Sequence, residues 1–163
     1  MMADKLHISL LYATQTPQTT ISIALDTAYL EGLKPGTKAA TGIYLMDNRF
    51  GIGSSNEGTQ SIHTVCYTGD KISWLALPVD AARGDTVIIT GFIILAGNIF
   101  GGSIGNPQPT DNPACWIGRA VVSASTSVYQ INFLIVDDAK NDFTASCVVS
   151  IATFTSGNNP KLT

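Results

Sequence analysis

Oxygen-rich side chains crowd together at Asp137, Asp138, Asn141 and Asp142, between two strand-like runs. Hard cations such as Ca²⁺ collect carboxylate and carbonyl oxygens from one loop or from several brought together, which makes these four side chains the candidate metal ligands. The spacing is not that of an EF-hand. A solvated Asp/Asn turn explains the same residues, because they bond readily to their own backbone in turns. That reading is favoured, so Ca²⁺ is an optional occupant and no cofactor is required. Asp111-Asn112 and Asn56-Glu57 would add ligands only if the fold brought those loops together.

A second cluster has the residue types of a sugar site. Trp116 offers an aromatic platform for C–H faces, and Asp111, Asn112 and Arg119 offer planar polar groups for hydroxyls. The competing reading places Trp116 beneath the neighbouring loop as a cap on the core. A third motif, Gly101-Gly102-Ser103-Ile104-Gly105, matches the G-x-S-x-G of hydrolase nucleophile elbows. That elbow needs a preceding strand and a following helix, and Asn106-Pro107 cannot start such a helix. Only His7 and His63 could act as bases, and both sit in alternating runs typical of structural strands. A serine esterase is therefore the remotest of three readings, and no catalytic residues are assigned.

Charge and composition narrow the partners. With 13% charged residues, 45% apolar residues and a net charge of −3, the chain lacks the concentrated Lys and Arg that nucleic acid binding demands. Its hydrophobicity excludes disorder. Cys66, Cys115 and Cys147 show no metal-ligand spacing and are odd in number. Each is expected to behave as a small apolar residue in a reducing compartment, although one bridge stays open. No apolar leader follows Met1, and the longest apolar run, residues 86–96, is too short to span a bilayer. These features predict a cytoplasmic protein without membrane insertion, with release by a signal-independent route left open.

The elements that must position these groups are almost all strands. Alternation predicts strands over residues 5–12, 21–25, 42–47, 62–67, 71–78, 116–123, 127–136 and 143–154, with one helical turn near 28–33. Gly69-Asp70 predicts a tight hairpin that pairs Tyr67 with Ile72 and Val65 with Trp74, all four facing inward. Residues 85–97 read as a strand covered on both faces, with a bulge or bend at Gly91. Residues 98–115 form a long loop broken by Gly and Pro; loops of that length are often functional. The expectation is an all-β single domain spanning residues 1–163. It would be a two-sheet, mostly antiparallel β-sandwich or jelly roll of eight or nine strands.

Gly69-Asp70-Lys71-Ile72-Ser73-Trp74 resembles the Gly-Asp-x-Ile-x-Trp element of the PixA/AidA family of inclusion-body proteins. The Tyr-containing strand Ile43-Tyr44-Leu45-Met46, the apolar run after the motif and the strand from Tyr129 to Asp137 match as well. Two positions differ: Leu75 stands where the family places Arg, and Val148-Val149-Ser150-Ile151 replaces an aromatic-Asp-Pro strand. The resemblance implies an all-β bacterial protein without catalytic machinery, abundant and stored as intracellular inclusions, with ties to host association. The preferred expectation is a non-catalytic, lectin-like glycan-binding protein that forms homo-oligomers, since linked sugar sites gain avidity. The alternative is a structural or storage inclusion-body protein with no small ligand.

Overall fold

Strict alternation of buried and half-buried residues runs along β1 (Thr19–Leu25) and β8 (Thr126–Val136). Each strand therefore turns one face to a core and the other away from it. A computed structural model describes residues 16–155 of the chain, and its strands form a two-sheet sandwich. The remaining strands are β2 (Ile43–Asp47), β3 (His63–Tyr67), β4 (Lys71–Pro78), β5 (Thr86–Ala96), β6 (Gln108–Pro109), β7 (Cys115–Arg119) and β9 (Asp142–Phe154). One sheet has the order β2-β1-β4-β7-β6 and the other β3-β9-β8-β5. Two pairings, β1 with β4 and β3 with β9, are parallel; the rest are antiparallel. The predicted strand over residues 5–12, and His7 with it, lies outside the described residues.

Ile21, Ile23, Ile43, Leu45, Ile72 and Trp74 from the first sheet meet Tyr129, Ile131, Phe133, Ile135, Val149 and Ile151 from the second in the core. Trp74 is central, with ring centroids of Phe92, Phe100 and Tyr129 at 4.9, 6.0 and 6.1 Å. The helical turn is Thr27–Glu31, capped by the Asp26 carboxylate accepting the Tyr29 N–H.

The Gly69-Asp70 hairpin does not form. β3 and β4 belong to opposite sheets, so Gly69 and Asp70 make a corner between layers and not a turn within one. Thr64 and Cys66 face the core from β3, opposite in phase to the expected Val65 and Tyr67. Val65 is nevertheless buried, under residues 53–54, where its backbone N–H donates to Ser54 Oγ at 2.9 Å. Likewise β5 is an edge strand, with Ile93 and Leu95 exposed, where sequence predicted cover on both faces. Its register does shift between Ile89 and Gly91, as the glycine suggested.

Sheet edges carry unpaired backbone groups that invite unwanted pairing, and loops bond to the edges of β2 and β3 and to β5 at Ile89. Leu45 exchanges backbone bonds with Thr59 and Gly58 beside β2, and Ser55 does so with His63 beside β3. On β5, the Ile89 N–H donates to the Pro113 carbonyl, while its carbonyl accepts the Trp116 indole N–H.

Candidate functional site

The four residues nominated for a sugar site are not brought together. Strand side chains alternate, so Trp116 turns inward beside Trp74 while Arg119 turns outward opposite Lys71. Trp116 packs on Phe92 at 5.2 Å and donates its indole N–H to the Ile89 carbonyl at 3.1 Å, the position of a core cap. Asp111 and Asn112 are exposed at the other end of β7, where Asn112 Oδ1 accepts the Ala114 N–H.

The acidic loop is the β8–β9 turn. Asp137 accepts the backbone and side-chain N–H groups of Asn141 at 2.8 and 3.0 Å, and its own N–H bonds back to the Asn141 carbonyl. These bonds, the Asn141 amide first, hold the Asp137 carboxyl below its usual range. Asp138 lies beside Gly84, and Asp142 pairs with Val136. Among the described residues no three His, Cys, Asp or Glu side chains are grouped to hold a metal ion. His63 Nδ1 lies 2.7 Å from Ser150 Oγ, a structural pairing across β3 and β9.

The corner between sheets carries the densest polar network. A single oxygen, Asp70 Oδ2, accepts from Arg49 Nη2 at 2.6 Å, Thr19 Oγ1 at 2.9 Å and the Tyr67 N–H at 3.1 Å. Arg49 also donates to Thr19 Oγ1 and lies over the Tyr67 ring. Beside this corner, the outward residues Lys71 and Arg119 stand directly opposite each other on β4 and β7. Burial, and then the Arg119 charge, lower the Lys71 pKa from its ordinary value. They line a pocket of about 290 Å³ with Ile104, Asn106, Gln108 and Ile117. Sequence reading missed Lys71, because a cation in an alternating strand signals nothing until its opposite neighbour is known.

A wider groove, about 800 Å³, lies between residues 33–39 and β8 and β9, with Thr90, Asn132, Thr144 and Ser146 as polar lining and Phe143 and Leu33 as apolar lining. The G-x-S-x-G segment runs as turns from Gly101 to Gly105, with no helix after it.

The outer face of the first sheet is unusual for water-facing β-structure. Tyr44 and Met46 of β2, Ser22 and Ala24 of β1, Leu75 and Leu77 of β4, and Cys115 and Ile117 of β7 lie on it in register, none of them charged, with Lys71 and Arg119 at the far end of the same face. Met46 is 51% exposed, Leu75 39% and Leu77 40%. Among the described residues no helix is long and apolar enough to cross a membrane.

The same architecture occurs in the crystal structure of an inclusion body protein, PixA, from Burkholderia cenocepacia J2315. That chain is 16% identical, superposes with a TM-score of 0.65, and the match covers 86% of this chain and 97% of that one. The resemblance carried by Gly69–Trp74 and the strand from Tyr129 thus holds at the level of fold. No curated protein matches the chain. A family model described as a domain of unknown function, DUF8788, matches residues 17–141, and the chain belongs to that family.

Proposed function

We propose that this chain is a non-catalytic, self-associating structural protein of the inclusion-body type, packed through the outer face of its β2-β1-β4-β7 sheet. The uncharged face around Leu75 and Leu77 carries the reading. Contiguous apolar surface on a soluble domain marks an interaction site, and nothing on these positions repels a second copy. The loop-bonded edges of β2 and β3 direct association to faces and away from strand addition. The solved neighbour's description as an inclusion body protein agrees with it.

Sedimentation velocity across a wide concentration range tests this. The wild-type chain should gain mass with concentration, and Leu75→Lys with Leu77→Glu should remain monomeric with an unchanged circular dichroism spectrum. A wild-type chain that stays monomeric throughout sinks the proposal.

Carbohydrate recognition is a second reading, favoured by the groove whose lining combines Phe143 with Asn132, Thr144 and Ser146. A glycan array followed by calorimetry with and without EDTA decides it, and silence against every sugar ends it.

A further inference from the structure

Loops bond to the edges of β2 and β3, and β6 is a two-residue edge ending in Pro109. Among the described strands this leaves β5 as the long edge that another chain can reach. From Thr86 to Gly97 it carries no charged residue and no proline, the usual guards of an edge. Loop cover stops at Ile89, whose N–H and carbonyl turn away from β8 toward Pro113 and Trp116.

Outward-turned pairs alternate with bonded ones along an antiparallel ladder. β8 runs against β9 without a shift, so Phe133, Ile131 and Tyr129 alternate in step. Their partners Ile89, Phe92 and Ile94 therefore all turn their backbone groups outward. No described residue outside β5 and β8 bonds to Phe92 or Ile94. Their side chains line a cleft beside Trp116 and Pro109, whereas Ile93 and Leu95 are 47% and 52% exposed on the sheet's outer face.

We propose that β5 pairs with β5 of a second copy, antiparallel about a two-fold axis at Ile93, joining two four-stranded sheets into one of eight. A second copy is the occupant because the other described edges are covered or too short, and an uncharged run does not repel itself. The register follows from the faces, since a core-facing residue must meet a core-facing residue. Only the axis at Ile93 meets that condition while both Phe92 and Ile94 bond, each to the other's counterpart, through about four backbone hydrogen bonds. The inference rests on the face reading above: one self-complementary face closes two copies into a dimer, and the β5 edge joins dimers into a body that grows. So few bonds act once the face has brought copies together, because linked contacts gain avidity.

Sedimentation velocity and cysteine cross-linking of the full chain test it. Wild type should grow past the dimer with concentration. Ile93→Lys, at an exposed position, should stop at the dimer with an unchanged circular dichroism spectrum. In a Cys115→Ser background under air oxidation, Ile93→Cys should cross-link copies, because opposed residues of a non-hydrogen-bonded pair lie about 4.5 Å apart. Two copies of Leu95 would lie about 13 Å apart at roughly 3.3 Å per residue, beyond the reach of a disulfide, so Leu95→Cys should cross-link at least about tenfold less. Growth of Ile93→Lys equal to wild type, no cross-link at position 93, or equal cross-linking at 93 and 95 would each overturn the pairing and leave the face reading standing. A dimer that survives Leu75→Lys with Leu77→Glu and dissolves with Ile93→Lys would keep the edge and remove the face.

Discussion

Trp74 donates its indole N–H to Tyr129 Oη at 3.0 Å, joining the two sheets through a hydrogen bond that no water reaches. Both rings are fully buried, and burial pushes the Tyr129 hydroxyl far above its ordinary value of 10. Tyr129→Phe removes the acceptor and leaves the indole N–H buried and unpaired. The expected loss is about 1–3 kcal/mol, read from urea denaturation, with no new cavity to account for it. In a spectrophotometric titration Tyr129 should stay silent until the chain unfolds.

Asp70 is the second tie between the layers. Its side chain is 9% exposed and that of Arg49 16%, so truncating one partner strands the other. Asp70→Ala should cost about 3–5 kcal/mol. Asp70→Asn keeps an oxygen for the three donors and loses only the charge, so its cost should be about half as large. Equal losses for the two variants would show that the charge, and not the oxygen's geometry, holds the corner.

These two ties explain which parts of the fold were legible in sequence. Along β8, alternation of Tyr129, Ile131, Phe133 and Ile135 with Gln130, Asn132 and Leu134 reports burial directly, and the structure follows it. Around Gly69 the same alternation misleads, because it records that residues are extended and not which strand they pair with. β3 takes a partner near the chain's end, and β4 pairs with β1 and β7. Loop cover inverted the apparent face of β3, since residues 53–54 bury Val65 from outside. The nominated site residues failed to converge for a related reason. Trp116 and Arg119 are three apart, neighbours on a helix but on opposite faces of a strand.

Glycine requirements at the corner and the pocket differ in kind. Gly69 has φ of 95° with nothing within 4 Å of an added Cβ, so Gly69→Ala should cost only about 1–2 kcal/mol of backbone strain. Gly105→Ala must displace β7 or the loop, and should cost more than Gly69→Ala. Thermal denaturation of the two variants checks the contrast.

Glu57 gives the stability a sign with pH. Burial first, and then the neighbouring Asp47 carboxyl, raise its pKa above the ordinary 4.5, although its Oε2 accepts the Asp47 N–H at 2.9 Å. A raised carboxyl pKa favours the protonated form in the folded state. Its contribution is therefore full below pH 4.5 and is lost as pH rises through the folded value. Glu57→Gln removes the ionisation. The variant should be more stable than wild type at neutral pH, and the difference should shrink as pH falls toward 4.5. Urea midpoints across that range measure it, and a difference that grows on acidification would reverse the assignment.

The three cysteines report on the proposed packing face. All are free; Cys66 and Cys147 are buried, and burial pushes both thiols up to about 12. A thiol reacts as its thiolate, so neither should label in the native state. Cys115 is half-buried on the outer face, in register with Leu75. A charged thiol reagent should therefore label Cys115 alone until denaturant is added, and mass spectrometry identifies the adduct. If copies pack through that face, labelling should slow as protein concentration rises, and the adduct, once formed, should block association as Leu75→Lys does. Concentration-independent labelling in a sample that sedimentation shows to be assembled would move the interface to another surface.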